Sequence, residues 1–170
     1  AAATFVSPTE ISCVAPASAS RSRVAVTVTT NGVDFGSSSA FFTFFPSPEI
    51  AALTPAFASE RGGTWIAVAG AHFEGDAVGC DLDGAALRSV RESPSLLRCE
   101  VPARTPSTVA LRVTGNGQDF VGAPFSFLAD ETTLSATPAH GGAAGGTRVV
   151  LAGRNFVDSP SLRCRFGDAS

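Results

Sequence analysis

The sequence predicts an all-β chain built as a tandem array of small β-sandwiches, and two observations carry that prediction. The first is internal repetition. Sliding the 170-residue chain against itself by roughly 83–86 positions gives ordered matches throughout. "GGTWIAVAGAHF" (62–73) faces "GGTRVVLAGRNF" (145–156), "SPTEISCVAP" (7–16) faces "SPSLLRCEVP" (93–102), and "VAVTVTTNGVDF" (24–35) faces "VALRVTGNGQDF" (109–120). The second is periodicity. Apolar and polar residues alternate in short runs bounded by Gly, Pro, Asn and Asp, and no stretch sustains a 3.6-residue period.

The repeat defines the units. One complete unit covers residues 47–129. Residues 1–46 match its second half and read as the C-terminal half of a preceding unit. Residues 130–170 match its first half and read as the N-terminal half of a following one. The expectation is a segment of a longer array, with both outer units cut within a domain.

Within the unit, "PEIAALTP" (48–55) opens the first strand. Gly62 and Gly63 turn the chain into "TWIAVAG", whose alternation places Ile66 and Val68 on one face and Trp65 on the other. Gly70 ends that strand so that Phe73 can close one end of the sandwich, and Gly153 and Phe156 repeat the arrangement. "CDLDG" (80–84) reads as a hairpin turn. Its alternative, a calcium loop, lacks the oxygen ligands that such a loop needs after Asp81 and Asp83. Val109, Leu111 and Val113 share a face, as do their equivalents Val24, Val26 and Val28. "NGQDF" and "NGVDF" then supply turns, with Asn-Gly taking the positive φ of a tight hairpin. About seven strands in a unit of ~80 residues is the pattern of a sandwich.

Composition removes several function classes. All twelve basic residues are arginine and lie scattered in a chain of net charge −3, so no basic patch suggests nucleic acid. No apolar run approaches the ~20 residues of a membrane span. The first residues, "AAATFVSPTE", lack the basic start and apolar stretch of a signal peptide, as expected of a chain that starts inside a longer protein. His72 and His140, the two histidines, sit at unrelated turns, and no serine lies in a G-x-S-x-G elbow. The glycines of "HGGAAGGT" (140–147) lack the G-K-[ST] and the helix of a phosphate loop. No catalytic residue, cofactor or metal ligand is expected. No N-x-[ST] sequon occurs, whereas the Ser/Pro segment around Ser47 suits O-glycans of a surface glycoprotein.

The ordered motifs resemble the IPT/TIG domain. They are P-x-I-x-x-L-x-P from Pro48 to Pro55, GGT through Phe73, a Cys-bearing strand, "LRCEVP" from Leu97 to Pro102, and a closing "FSF" from Phe125 to Phe127. The resemblance implies an immunoglobulin-like sandwich, a fold that this family places both in extracellular receptors and in transcription factors. His72 departs from the asparagine that the family prefers and that Asn155 retains. Such an asparagine is expected to hydrogen-bond its local turn.

Aligned by repeat, the four cysteines form one early and one late position per unit. A Cys80–Cys99 disulfide is expected, with Cys13 and Cys164 paired to cysteines outside the sequence. The alternative is buried free thiols in a reducing compartment. Without a C-x-x-C or His/Cys cluster, no zinc site is expected.

Together these readings describe a non-catalytic structural or adhesive segment of a large secreted or cell-surface protein, spacing and presenting protein-binding surfaces. Its partners are neighbouring repeats and other protein surfaces. Prolines in "FFPSPEI" (44–50) suit a semi-rigid rod. Two alternatives stand beside it: an accessory or carbohydrate-binding module of a secreted enzyme, and a dimerising domain of a transcription factor. Trp65, the single tryptophan, is the candidate contact residue, and its alternative role is to lie over its own sheet.

Overall fold

A computed structural model describes residues 1–18 and 20–167. In chain order its strands are β1 (Ala3–Ser7), β2 (Glu10–Cys13), β3 (Ser22–Ala25), β4 (Phe41–Phe44), β5 (Glu49–Thr54), β6 (Phe57–Ser59), β7 (Trp65–Ala71) and β8 (Gly79–Leu82). They continue as β9 (Ala85–Ala86), β10 (Arg88–Ser93), β11 (Leu96–Glu100), β12 (Ser107–Thr114), β13 (Phe120–Leu128), β14 (Thr132–Thr137) and β15 (Val150–Arg154). Every regular element among the described residues is a strand.

Strands β5 to β13 form a two-layer sandwich. One sheet runs β10-β11-β7-β5 and the other β6-β13-β12-β8-β9. The alternation read from sequence decides what lies between them. Ile66 and Val68 of β7 and Leu97 of β11 face Leu111 and Val113 of β12 and Phe125 of β13, all fully buried. Phe73 fills one end of the same core. Burial of this apolar surface, at ~25 cal/mol per Å², is the main force holding the layers together.

The unit has nine strands where about seven are expected, and chain chemistry explains the extra ones. Pro55 has no N–H with which to extend the ladder of β5. The chain leaves that sheet there and joins the other as β6, parallel to β13. Asp83 and Gly84, with φ of 52° and 91°, make a two-residue turn between β8 and the short β9.

The flanking ribbons repeat the sandwich's pairing residue for residue. Ala3↔Cys13 and Phe5↔Ile11 of β1–β2 correspond to Ser89↔Cys99 and Arg91↔Leu97 of β10–β11, and the bulge that follows is kept. Val24↔Phe42 corresponds to Val109↔Phe125. Thr133↔Gly153 corresponds to Ile50↔Gly70, again with its bulge. The side chains at core positions differ in exposure: Leu97 and Phe125 are 0% exposed, whereas their equivalents Ile11 and Phe42 are 41% and 43% exposed.

The Asn-Gly segments differ from expectation. The β12–β13 connection is a five-residue loop and not a tight hairpin, and Gly117 alone takes the positive φ, at 76°. The Asn116 side chain closes the loop instead, its Oδ1 accepting from the backbone N–H of Gln118 and Asp119 at 3.0 and 2.9 Å. Asn31 does the same for Val33 and Asp34.

Candidate interaction surface

Catalysis needs convergent polar groups in a concave site, whereas the side chains worth following here lie on the sheet surfaces and at the joins between repeats. Cys80 and Cys99 are the exception. They are bonded to each other across the core, with Cα atoms 6.1 Å apart, and so join β8 of one sheet to β11 of the other. Cys13 and Cys164 are exposed free thiols.

Trp65 occupies the outer face of the four-stranded sheet, as alternation against buried Ile66 and Val68 requires. It is half-buried there. The register lines up Trp65 of β7, Glu100 of β11 and Arg88 of β10 across the sheet. The Arg88 guanidinium lies 5.2 Å from the indole ring centre and donates to Glu100 at 3.2 Å. One row further, Arg98 pairs with Glu92 at 2.5 Å beside the exposed Val90. This face therefore presents one aromatic ring within a rim of mixed charge. Sequence alternation finds Trp65 but not Arg88, because their proximity depends on the pairing of three strands.

The outer face of the other sheet carries a buried carboxylate, Asp81. Its Oδ1 accepts from Arg112 Nε at 2.8 Å and from the Gly84 N–H at 3.1 Å. Arg112 in turn stacks on Phe120, 4.7 Å from the ring centre. Both of Asp81's roles are structural, one within the sheet and one at the hairpin turn.

The joins between repeats are bridged by polar contacts. Before the central sandwich, Arg21 pairs with Glu74 at 2.9 Å. After it, the Asp130 carboxylate accepts from the Ser59 hydroxyl and from Arg61 Nε. The Ser59 hydrogen bond, helped by Arg61 and opposed by desolvation, holds the Asp130 carboxyl below its ordinary 3.8. A carboxyl with a lowered pKa in the fold stabilises it above that ordinary value. The contribution is lost as pH falls through the lowered one, so these contacts are intact at neutral pH.

Asn155 also differs from expectation. It does not bond its local turn; its Nδ2 donates to the Asp130 carbonyl at 2.8 Å, 25 residues back in the chain. Its φ of 61° matches the 60° of His72 at the equivalent position. Asparagine and histidine are among the non-glycine residues that most readily adopt this left-handed conformation, which explains why either is accepted. No sequence signal near Asn155 points to so distant a partner.

The profile of the IPT/TIG domain matches residues 48–128 and 132–170. No curated protein matches the chain. Among solved structures, the full extracellular region of plexin A4, domains 1 to 10, aligns at 21% identity and a TM-score of 0.47, over 59% of this chain. The chain spans 9% of that structure's length.

Proposed function

The chain belongs to the IPT/TIG domain family, and from that premise we propose that it is a non-catalytic spacing and contact segment of a larger secreted or cell-surface protein. Residues 47–129 form its complete repeat, with residues 1–46 and 130–170 belonging to the repeats on either side. The observation that carries the reading is the Cys80–Cys99 bond, which links the two layers of a unit whose strand pairing recurs along the chain. Disulfides of this kind form and persist in oxidising compartments, and small sandwiches with limited cores gain most from them. Short joins between the units favour a semi-rigid string of domains that holds its surfaces apart. Cys13 and Cys164 would take partners from other parts of the same array.

The test is direct. Protein secreted from its host, denatured without reductant and alkylated, is expected to carry label on neither Cys80 nor Cys99. Label on both would remove the ground for an oxidising compartment.

Trp65 supplies the apolar centre of the outer-face surface and is the residue we assign to contact. Trp65→Ala is expected to cost the sandwich about 1 kcal/mol, the scale of an exposed cation–π pair, while removing the anchor that a partner would cover. Urea unfolding measures the first part. A loss of several kcal/mol would instead make Trp65 a packing residue of the sandwich.

A further inference from the structure

We propose that the outer segments are docking surfaces for a second copy of this chain, residues 130–170 of one copy closing against residues 1–46 of the next to complete a sandwich. Aligned by repeat, residues 130–170 correspond to 47–86 and residues 1–46 to 87–129, so the two segments together span the unit from end to end. In the sandwich, β11 is paired on both edges, with β10 and β7, and β12 likewise with β13 and β8. Among the described residues, β2 pairs with β1 alone, β3 with β4 alone and β15 with β14 alone. The free edges of β2 and β15 are therefore the counterparts of the joined edges of β11 and β7. An unpaired edge is a template for a strand of another chain.

The sandwich supplies the register. Leu97↔Val68 and Cys99↔Ile66 become Ile11↔Leu151 and Cys13↔Val149 between copies, and Val113↔Cys80 becomes Val28↔Cys164. Side-chain exposure agrees. Val26, Val28 and Phe156 are exposed where Leu111, Val113 and Phe73 are fully buried, as Ile11 and Phe42 are beside Leu97 and Phe125. Closing one segment over the other removes that apolar surface from water. It also sets Cys13 and Cys164, both exposed free thiols, in the places where Cys99 and Cys80 are bonded. A small-molecule disulfide such as oxidised glutathione then takes two electrons and two protons from the thiols. It becomes two thiols itself, and a Cys13–Cys164 bond joins the copies.

The partner is a second copy because one chain's own segments leave its sandwich at opposite ends. Pro46 and Pro48 lie along one groove with Asn116 and Asp119, just ahead of β13, whereas Asp130 follows the last residue of that strand. The nine residues of β13 set those ends ~30 Å apart, at about 3.3 Å per residue. The joins 45–48 and 129–131 reach only ~14 and ~11 Å when fully extended, so neither spans the sandwich. Each copy thus carries one surface of each kind. Contact between unlike surfaces repeats head to tail and does not close at a dimer.

Light scattering from the full 170-residue chain in a glutathione redox buffer tests it. The wild type is expected to rise with concentration from 17.2 kDa to multiples of that mass. Ile11→Asp places a charge in one docking surface and Leu151→Asp in the other, both outside the central sandwich. Each variant alone is expected to stay at 17.2 kDa. Their equimolar mixture should double in mass and go no further, because one intact pair of surfaces remains. With one variant isotope-labelled, peptide mapping should find Cys164 of the Ile11→Asp chain bonded to Cys13 of the Leu151→Asp chain. A wild type or a mixture that stays monomeric, or a Cys13–Cys164 bond within one chain, would overturn the proposal. So would assembly of either variant alone, the mark of indiscriminate adhesion between exposed apolar side chains. Assembly of this kind rests on the assignment of residues 1–46 and 130–170 as half-repeats. Its failure in a chain whose Cys80 and Cys99 stay bonded would leave the reading of an oxidising compartment standing.

Discussion

Replacing Cys80 and Cys99 together by alanine is expected to lower the stability of the sandwich by about 3 kcal/mol, the chain-entropy value for a loop of this length. The bridge spans 19 residues and joins the two layers near the centre of the core, where the cysteines are 2% and 0% exposed. Without it, the unfolded chain regains the freedom that the closed loop denies it, and two buried side chains lose packing partners. Urea unfolding should show a lower midpoint, and reducing the wild type should produce a similar loss. Cys13→Ser and Cys164→Ser provide the contrast. Both thiols are exposed and unbonded, so each change should stay within about 0.5 kcal/mol, as for other surface substitutions. A double variant as stable as the wild type would show that the bridge contributes nothing measurable, and the core alone would then account for stability.

What the sequence discloses and what it hides divide along a physical line. Features set by a residue and its near neighbours are legible. The alternation of β7 places Ile66 and Val68 inward and Trp65 outward, as the structure has them, and the repeat offset carries over even the bulges in strand pairing. Features that depend on which strand lies beside which are not legible. Asp81 meets Arg112 because β8 pairs with β12, and Arg88 reaches Trp65 only across β11. The move of the chain from β5 to β6 leaves a trace at Pro55, although alternation says nothing of the sheet it joins. Asn116 shows a subtler failure. Its residue type correctly marks a turn, yet positive φ falls to Gly117 and the asparagine contributes its side-chain oxygen. At Asn155 and Asp130 the missing information is long-range: the bonded groups are 25 residues apart.

Glycines are where sequence and packing meet most closely, and Gly70→Ala is expected to be the most damaging single substitution of its size. Gly70 pairs with Ile50 beside the β5 bulge. A Cβ built there would lie 1.8 Å from the Glu49 carbonyl oxygen and 2.7 Å from Cζ of Phe73. The first is backbone and cannot rotate aside; the second belongs to a fully buried ring. Relief requires β5 to part from β7, or Phe73 to leave the end of the core. Either should cost about 3 kcal/mol or more, the upper range of overpacking in a closed interior. Gly79→Ala is the matched control. It lies on β8 with its nearest neighbour, the Ser89 hydroxyl, 3.6 Å away in ordinary contact, so it should shift stability by less than about 1 kcal/mol. The same crowding recurs at Gly153, where an added Cβ would meet the Thr132 carbonyl at 2.1 Å and Phe156 at 2.5 Å. The glycine-then-aromatic spacing is therefore a packing constraint written once per repeat, with strand, bulge and ring occupying the space a side chain would take. If Gly70→Ala unfolds at the same urea concentration as Gly79→Ala, β5 yields easily and the glycine is retained for some reason other than close approach.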